Sequence, residues 1–174
     1  MTQPHEQTCP IAASLNQLGD MWTLMIVREA MAGARRFKDF RTGTGIAKNL
    51  LSSRLKQMVN YGILEKYDAG QHGPRSEYRL TAKGKALAPV MIAVSQWGNQ
   101  WVYGEGREPV NLVDRKTGKP IAPLHPSSSD GDALDWRDVA MTSGPGASGM
   151  MRERFEKLEK LLNTPKPPPQ SKET

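Results

Sequence analysis

The sequence predicts a mainly helical α+β fold with one small β hairpin, followed by a C-terminal extension. Three observations predict it. Apolar residues recur at helical spacing in successive segments from 11 to 60, and again from 82 to 103. Two short runs suited to strands, 63–67 and 75–80, flank the turn-forming Ala69-Gly70-Gln71-His72-Gly73-Pro74. Past Gly104 the composition changes and charges of both signs come into balance.

The elements follow in order. Residues 1–9 are polar and read as loose. Residues 11–18 read as a short helix ended by Gly19. Asp20 can cap a second helix, its carboxylate accepting from free backbone N–H groups. Met21, Trp22, Leu24, Met25, Ile26, Val27, Ala30 and Met31 make that helix apolar on almost every side, which places it at the centre of the core. Residues 37–41 form a short amphipathic helix with Phe37 and Phe40 inward, and Thr42-Gly43-Thr44-Gly45 reads as a flexible connection.

Residues 47–60 are the most informative. At about 100° per residue, Leu51, Leu55 and Met58 share one side of a helix. Asn49, Ser52, Ser53, Lys56 and Asn60 share the other, flanked by Lys48 and Gln57. Gly62 ends the helix by tolerating positive φ. After the hairpin, Thr81 caps a helix expected from about 82 to 103, with Pro89 kinking it or marking a late first turn. Its stripe of Leu87, Val90, Met91, Val94, Trp97 and Trp101 outruns the cover one domain can give. Val94, Trp97 and Trp101 are therefore the expected contact between two subunits.

The extension reads as a hairpin (110–113 and 119–124), a loop at 126–132, a strand at 136–141, a break at Ser143-Gly144-Pro145-Gly146 and a helix striped by Met151, Phe155, Leu158 and Leu162. Residues 164–174 contain four prolines and read as a disordered tail. The expected organisation is a domain over 8–104, an extension over 105–163 and that tail.

Composition excludes several function classes. No apolar run approaches membrane-span length, and Met1-Thr2-Gln3-Pro4-His5-Glu6 lacks a basic, apolar signal segment, so the cytoplasm is expected. The single cysteine, Cys9, cannot staple a fold, and His5, His72 and His125 show no ligand spacing. No metal or cofactor is expected. No nucleophile–base pair stands out, and the Gly43/Gly45 pair lacks the Lys-Ser/Thr ending of a phosphate loop. Catalysis has little support.

Charge is more informative. The net charge is +6, and residues 35–56 hold seven bases (Arg35, Arg36, Lys38, Arg41, Lys48, Arg54, Lys56) against Asp39 alone, which accounts for the whole surplus. A local basic field on a neutral background suits a polyanion. The competing reading is a solvated basic face. The 47–60 helix adds a second signal, because nothing acidic occurs from Lys48 to Leu64. An exposed face of amides, hydroxyls and ammonium groups suits an acceptor-rich anionic surface.

The order helix, helix, helix, hairpin, helix is that of a winged helix-turn-helix, whose recognition helix needs rigid backing before its free face can enter a major groove about 12 Å wide. Five stretches carry a family resemblance: Cys9-Pro10-Ile11, Asp20-Met21-Trp22-Thr23-Leu24, Arg36-Phe37-Lys38-Asp39-Phe40, the run GIAKNLLSSRLKQMVNYGIL from Gly45 to Leu64, and Tyr78-Arg79-Leu80-Thr81-Ala82-Lys83-Gly84. Over about residues 8–104 the chain resembles HxlR-type transcriptional regulators, relatives of the MarR group. The resemblance implies a dimeric winged-helix DNA binder in a bacterial cytoplasm. It also implies that a cysteine at the place of Cys9 senses oxidants or electrophiles in some members. Two features depart from the pattern. Ser76 stands where an apolar residue usually precedes Glu-Tyr, which predicts looser strand pairing. The extension exceeds the minimal domain and resembles that of a longer subgroup.

Individual residues then take expected roles. Asn49 can pair with adenine, and Ser52 and Ser53 can reach bases or phosphates, or simply face solvent. Lys48 and Lys56 suit phosphates, and Gln57 flanks the same face. Arg35, Arg36, Lys38 and Arg41 are candidates for backbone contact, with solvated charge as the alternative. Arg75, near the hairpin tip, could lie along the backbone or minor groove, while His72 is a tip residue without a titration role. Arg54 falls toward the apolar side, which favours a structural ion pair with an acid of another helix. Cys9 stands near a helix N-terminus, whose dipole favours a thiolate; the alternative is an inert, small buried residue. The expected partners are double-stranded DNA, a second copy of the chain and, through Cys9, an electrophilic or other small-molecule effector. The alternative function is a winged helix used for protein docking, which predicts exposed apolar residues on the third helix.

Overall fold

The chain begins its helical core where Asp20 accepts a hydrogen bond from the Trp22 N–H at 2.9 Å, the cap expected for the second helix. The structure, a computed structural model, describes residues 9–68 and 76–162, with side chains through 160. Its elements are α1 (Pro10–Leu18), α2 (Met21–Met31), α3 (Phe37–Thr44), α4 (Lys48–Asn60), β1 (Leu64–Asp68), β2 (Ser76–Leu80), α5 (Ala82–Lys85), α6 (Ala88–Gly98), a π-helical turn at Asn99–Tyr103 and α7 (Gly149–Leu162). Among the described residues one compact unit holds 13–124, and a second joins 9–12 to 125–162.

The first unit is built around α2. Ile26, Val27 and Ala30 meet Phe40, Ile46, Leu51, Leu55, Met58, Ile63 and Leu64 in one buried cluster. Met21, in the first turn of α2, is exposed instead. The ring of Phe40 meets Tyr78 edge-on at 6.2 Å, tying α3 to the hairpin. Strands β1 and β2 pair antiparallel, with Leu64 opposite Leu80 and Asp68 opposite Ser76, so pairing persists at Ser76. The Tyr78 N–H donates to the Arg35 carbonyl, which brings the segment before α3 alongside β2. The helices α2, α3 and α4 with this hairpin form a winged helix-turn-helix.

Several expectations are corrected. Residues 42–44 are helical rather than a connection. Thr44 Oγ1 donates back to the Phe40 carbonyl at 2.7 Å, and Gly43 allows α3 to lie against Glu29, because a Cβ there would fall 2.1 Å from Glu29 Oε2. The helix expected over 82–103 is broken. Helix α5 stops at Lys85, and Pro89 sits in the first turn of α6, where its missing N–H costs nothing. Past Gly98 the turn widens, and the Gly104 N–H reaches the Asn99 carbonyl.

The extension holds less sheet than expected. The hairpin over 110–124 is reduced to one bridge, Val113 to Pro120, and proline offers the ladder no donor. No strand forms at 136–141. There the Asp135 N–H donates to Asp138 Oδ2 and the Arg137 N–H to Asp135 Oδ1, local bonds that replace a ladder. The C-terminal helix forms as α7. His72, Arg75, the rest of the hairpin tip at 69–75 and the tail at 164–174 lie outside the described residues.

Candidate nucleic-acid interface

Helix α4 is oriented by its apolar side. Leu51 and Leu55 are fully buried and Met58 nearly so. Burying each such side chain contributes about 1.5–3 kcal/mol, which fixes the rotation of the helix. Buried Ile46 and the Ile46 N–H, donated to Thr44 Oγ1, brace its entry from α3. Gly62, at φ 67°, ends it. The opposite side exposes Lys48, Asn49, Ser52, Ser53, Lys56 and Asn60, as expected. It carries no acid and no large exposed apolar residue.

The bases around α3 divide into two kinds. Lys38 and Arg41 are exposed. Arg36 is exposed and lies 3.4 Å from Glu77 Oε1 on β2. Arg35 is half-buried, and its Nη1 donates to the Ala30 and Ala34 carbonyls, both at 2.9 Å, so one arm of its guanidinium closes the end of α2. Asp39 accepts from the Arg36 N–H at 2.9 Å and the Arg35 N–H at 3.3 Å. Those two backbone bonds, Arg36 foremost, hold its carboxyl below the usual carboxylate range.

Arg54 meets the acid anticipated for it. Its Nε lies 3.2 Å from Asp20 Oδ2, the carboxylate that caps α2. That Nε is buried and makes no directed hydrogen bond, so the contact is Coulombic rather than aligned. From the same guanidinium Nη1 donates to Gln57 Oε1 at 2.7 Å, and Gln57 Nε2 donates to the Tyr61 hydroxyl at 3.1 Å. Gln57, expected at the flank of the exposed face, is half-buried there and tied at both ends of its amide. The spacings of three and four residues were the available signal.

Sequence reasoning also missed Arg79. Its guanidinium stacks over the exposed Tyr67 ring at 4.1 Å, adding a cation to the hairpin beside Glu77. The signal was the period of two that sets Glu77 and Arg79 on one face of β2.

On α6 and the turn after it, Val94, Trp97 and Trp101 are 50%, 60% and 69% exposed, and Val102 and Tyr103 extend the patch. Large exposed apolar patches are the kind of surface that interaction sites use. Cys9, just before α1, is free and half-buried. Among the described residues no group of potential ligands could hold a metal, and no helix is long and apolar enough to cross a membrane.

The family profile described as HxlR-like helix-turn-helix matches residues 17–105. The chain belongs to that family. It is similar to the uncharacterised HTH-type transcriptional regulator Rv3095 of Mycobacterium tuberculosis, at 32% identity over 136 residues, which span 78% of this chain and 86% of that protein. The uncharacterised HTH-type regulator sll1512 of Synechocystis is 33% identical over 101 residues, 58% of this chain and 75% of its own length. Among solved structures, PA1607, described as a candidate transcription factor, matches with a TM-score of 0.74 and 36% identity over 80% of this chain and 97% of its own. PA1374 of Pseudomonas aeruginosa, likewise a candidate transcription factor, gives 0.63 and 37% over 84% and 99%. Both overlaps exceed the HxlR-like match, so part of the extension has a counterpart in those structures.

Proposed function

We propose that the protein is a homodimeric, sequence-specific DNA-binding transcriptional regulator of the bacterial cytoplasm, repressing by occlusion of an inverted-repeat operator. The observation that carries this reading is the α4 face, with only amide, hydroxyl and ammonium groups outward and Leu51 and Leu55 fully buried beneath them. A docking module would expose apolar residues there. The regulator names of the relatives support the same reading.

In this reading Asn49 addresses adenine, and Ser52 and Ser53 reach bases or phosphates. Lys48 and Lys56 take phosphates of the entered groove. Arg36, Lys38 and Arg41 follow the flanking backbone, and Arg35 adds the N–H groups that α2 does not use. Arg75 and Arg79 serve the hairpin's contact. Val94, Trp97 and Trp101 join two copies and set half-sites about 10 bp apart or a multiple of that. Cys9 is where an oxidant or electrophile would act, as an adduct or as a disulfide between subunits that hands two electrons to the oxidant.

The test is selection of binding sites from genomic fragments, followed by gel-shift titration with and without diamide. Wild-type protein should recover an inverted repeat. Asn49→Ala should lose discrimination at a defined base pair while binding random DNA as before. Equal losses on specific and random DNA would refute the role of Asn49, and failure to retain any duplex would refute the function.

A further inference from the structure

Glu77 is an acid set among bases, and the fold decides which of them it holds. The backbone of Arg36, just before α3, bridges to Glu77 on β2, and Tyr67 of β1 stands opposite Glu77 across the hairpin. Arg36 Nε donates to Glu77 Oε1 at 3.4 Å, and Arg79 Nη2 lies 4.0 Å from Oε2. Each carboxylate oxygen thus serves one arginine. The Arg79 guanidinium is held a second time, by the Tyr67 ring at 4.1 Å. The Glu77 side chain is only 15% exposed, whereas those of Arg36 and Arg79 are 58% and 47% exposed. The acid lies underneath and the two cations lie outside it.

Exposed ion pairs contribute little to folding, so the arrangement matters more for what the arginines can bind. The helix before a recognition helix crosses the DNA backbone. Arg36 stands at the start of that helix, and Glu77 brings Arg79 to the same place from the hairpin. Two opposing effects follow. An arginine that must be immobilised on a phosphate loses affinity, by about 2- to 12-fold per side chain, and Glu77 restrains two of them beforehand. The carboxylate also repels phosphate. A like charge about 10 Å away in about 0.1 M salt changes affinity by less than about twofold. Ordering the pair outweighs the repulsion.

We propose that Glu77 is a positioning residue for DNA binding: it fixes Arg36 at the entry of α3 and Arg79 on the hairpin as one paired clamp for backbone phosphate, and so raises affinity despite its own charge. The inference rests on the reading of α4 as the helix that enters the groove.

Gel-shift titration of the full chain tests it, on random-sequence duplexes and on genomic fragments that wild type selects, with a thermal midpoint for each variant. Glu77→Gln raises the net charge of +6 by one, so charge alone would tighten binding. It should instead weaken binding by about fivefold, equally on both kinds of duplex, because phosphate contacts carry no sequence information. Glu77→Asp keeps the charge and shortens the reach; it should weaken binding in the same direction and serves where Glu77→Gln fails to fold. In a background of Arg36→Ala with Arg79→Ala, Glu77→Gln should no longer weaken binding at all. Binding by Glu77→Gln that is unchanged or tighter, at a wild-type midpoint, overturns the proposal. So does a loss that persists when both arginines are gone, or one confined to the selected fragments. Absence of duplex binding by wild type overturns the groove reading as well, which separates the two failures.

Discussion

Substituting Leu55 tests whether α4 faces the way the interface requires. Leu55 is fully buried in a cluster with Leu51, Met58, Ile26 and Phe40. Leu55→Ala removes three carbons, and at about 0.8 kcal/mol each that is a loss of about 2.4 kcal/mol in burial. A close-packed core relaxes only partly around the void, and the cavity raises the cost to about 3–5 kcal/mol. Lys56 is the next residue and is exposed, so Lys56→Ala should stay within about 0.5 kcal/mol of wild type. Urea unfolding followed by far-ultraviolet circular dichroism measures both on the same protein. The reasoning fails if Leu55→Ala costs no more than Lys56→Ala, since α4 would then be turned with its amide and ammonium side inward.

Two further outcomes follow from the same geometry. Trp97→Glu with Trp101→Glu places two charges in the exposed stripe of α6 and its following turn; wild type should sediment as a dimer and the double variant as a monomer with the circular dichroism spectrum retained, and a dimer that persists in the variant would move the interface elsewhere. Asp39→Asn should lower stability by about 0.5 kcal/mol at neutral pH, a small value because the carboxylate is exposed. The folded-state value of Asp39 lies below the ordinary 3.8. Its contribution is therefore present above 3.8 and lost as pH falls through the lowered value, so the two proteins should converge there in pH-resolved unfolding.

The orientation of α4 was legible because a period of 3.6 separates Leu51, Leu55 and Met58 from Asn49, Ser53 and Lys56 without ambiguity. The cap at Asp20 and the ion pair of Arg54 were legible for the same reason: a carboxylate preceding an apolar helix has free N–H groups to satisfy, and a base on an apolar face needs an acid. The length of α3 was not legible. Gly43 looks like a hinge until Glu29 packs where its side chain would be. The break before α6 hid behind an unbroken apolar stripe, with Pro89 as its one local sign. Trp136 and Met141 suggested a strand by residue type, but strands need a partner, and Asp135 and Asp138 satisfy the local backbone first. The tie between Arg54 and Gln57 depends on where a long side chain ends, which helical angles do not specify.

The central claim is that the acid-free side of α4 meets DNA phosphates, and the salt dependence of duplex binding measures it directly. Affinity of wild type should fall steeply and linearly on logarithmic axes. Lys56→Ala should flatten that slope by about 0.9, the share of one neutralised phosphate, while Lys116→Ala, in the exposed turn of the extension, leaves it unchanged. A wild-type affinity indifferent to salt, or a Lys56→Ala slope equal to that of wild type, would contradict the account.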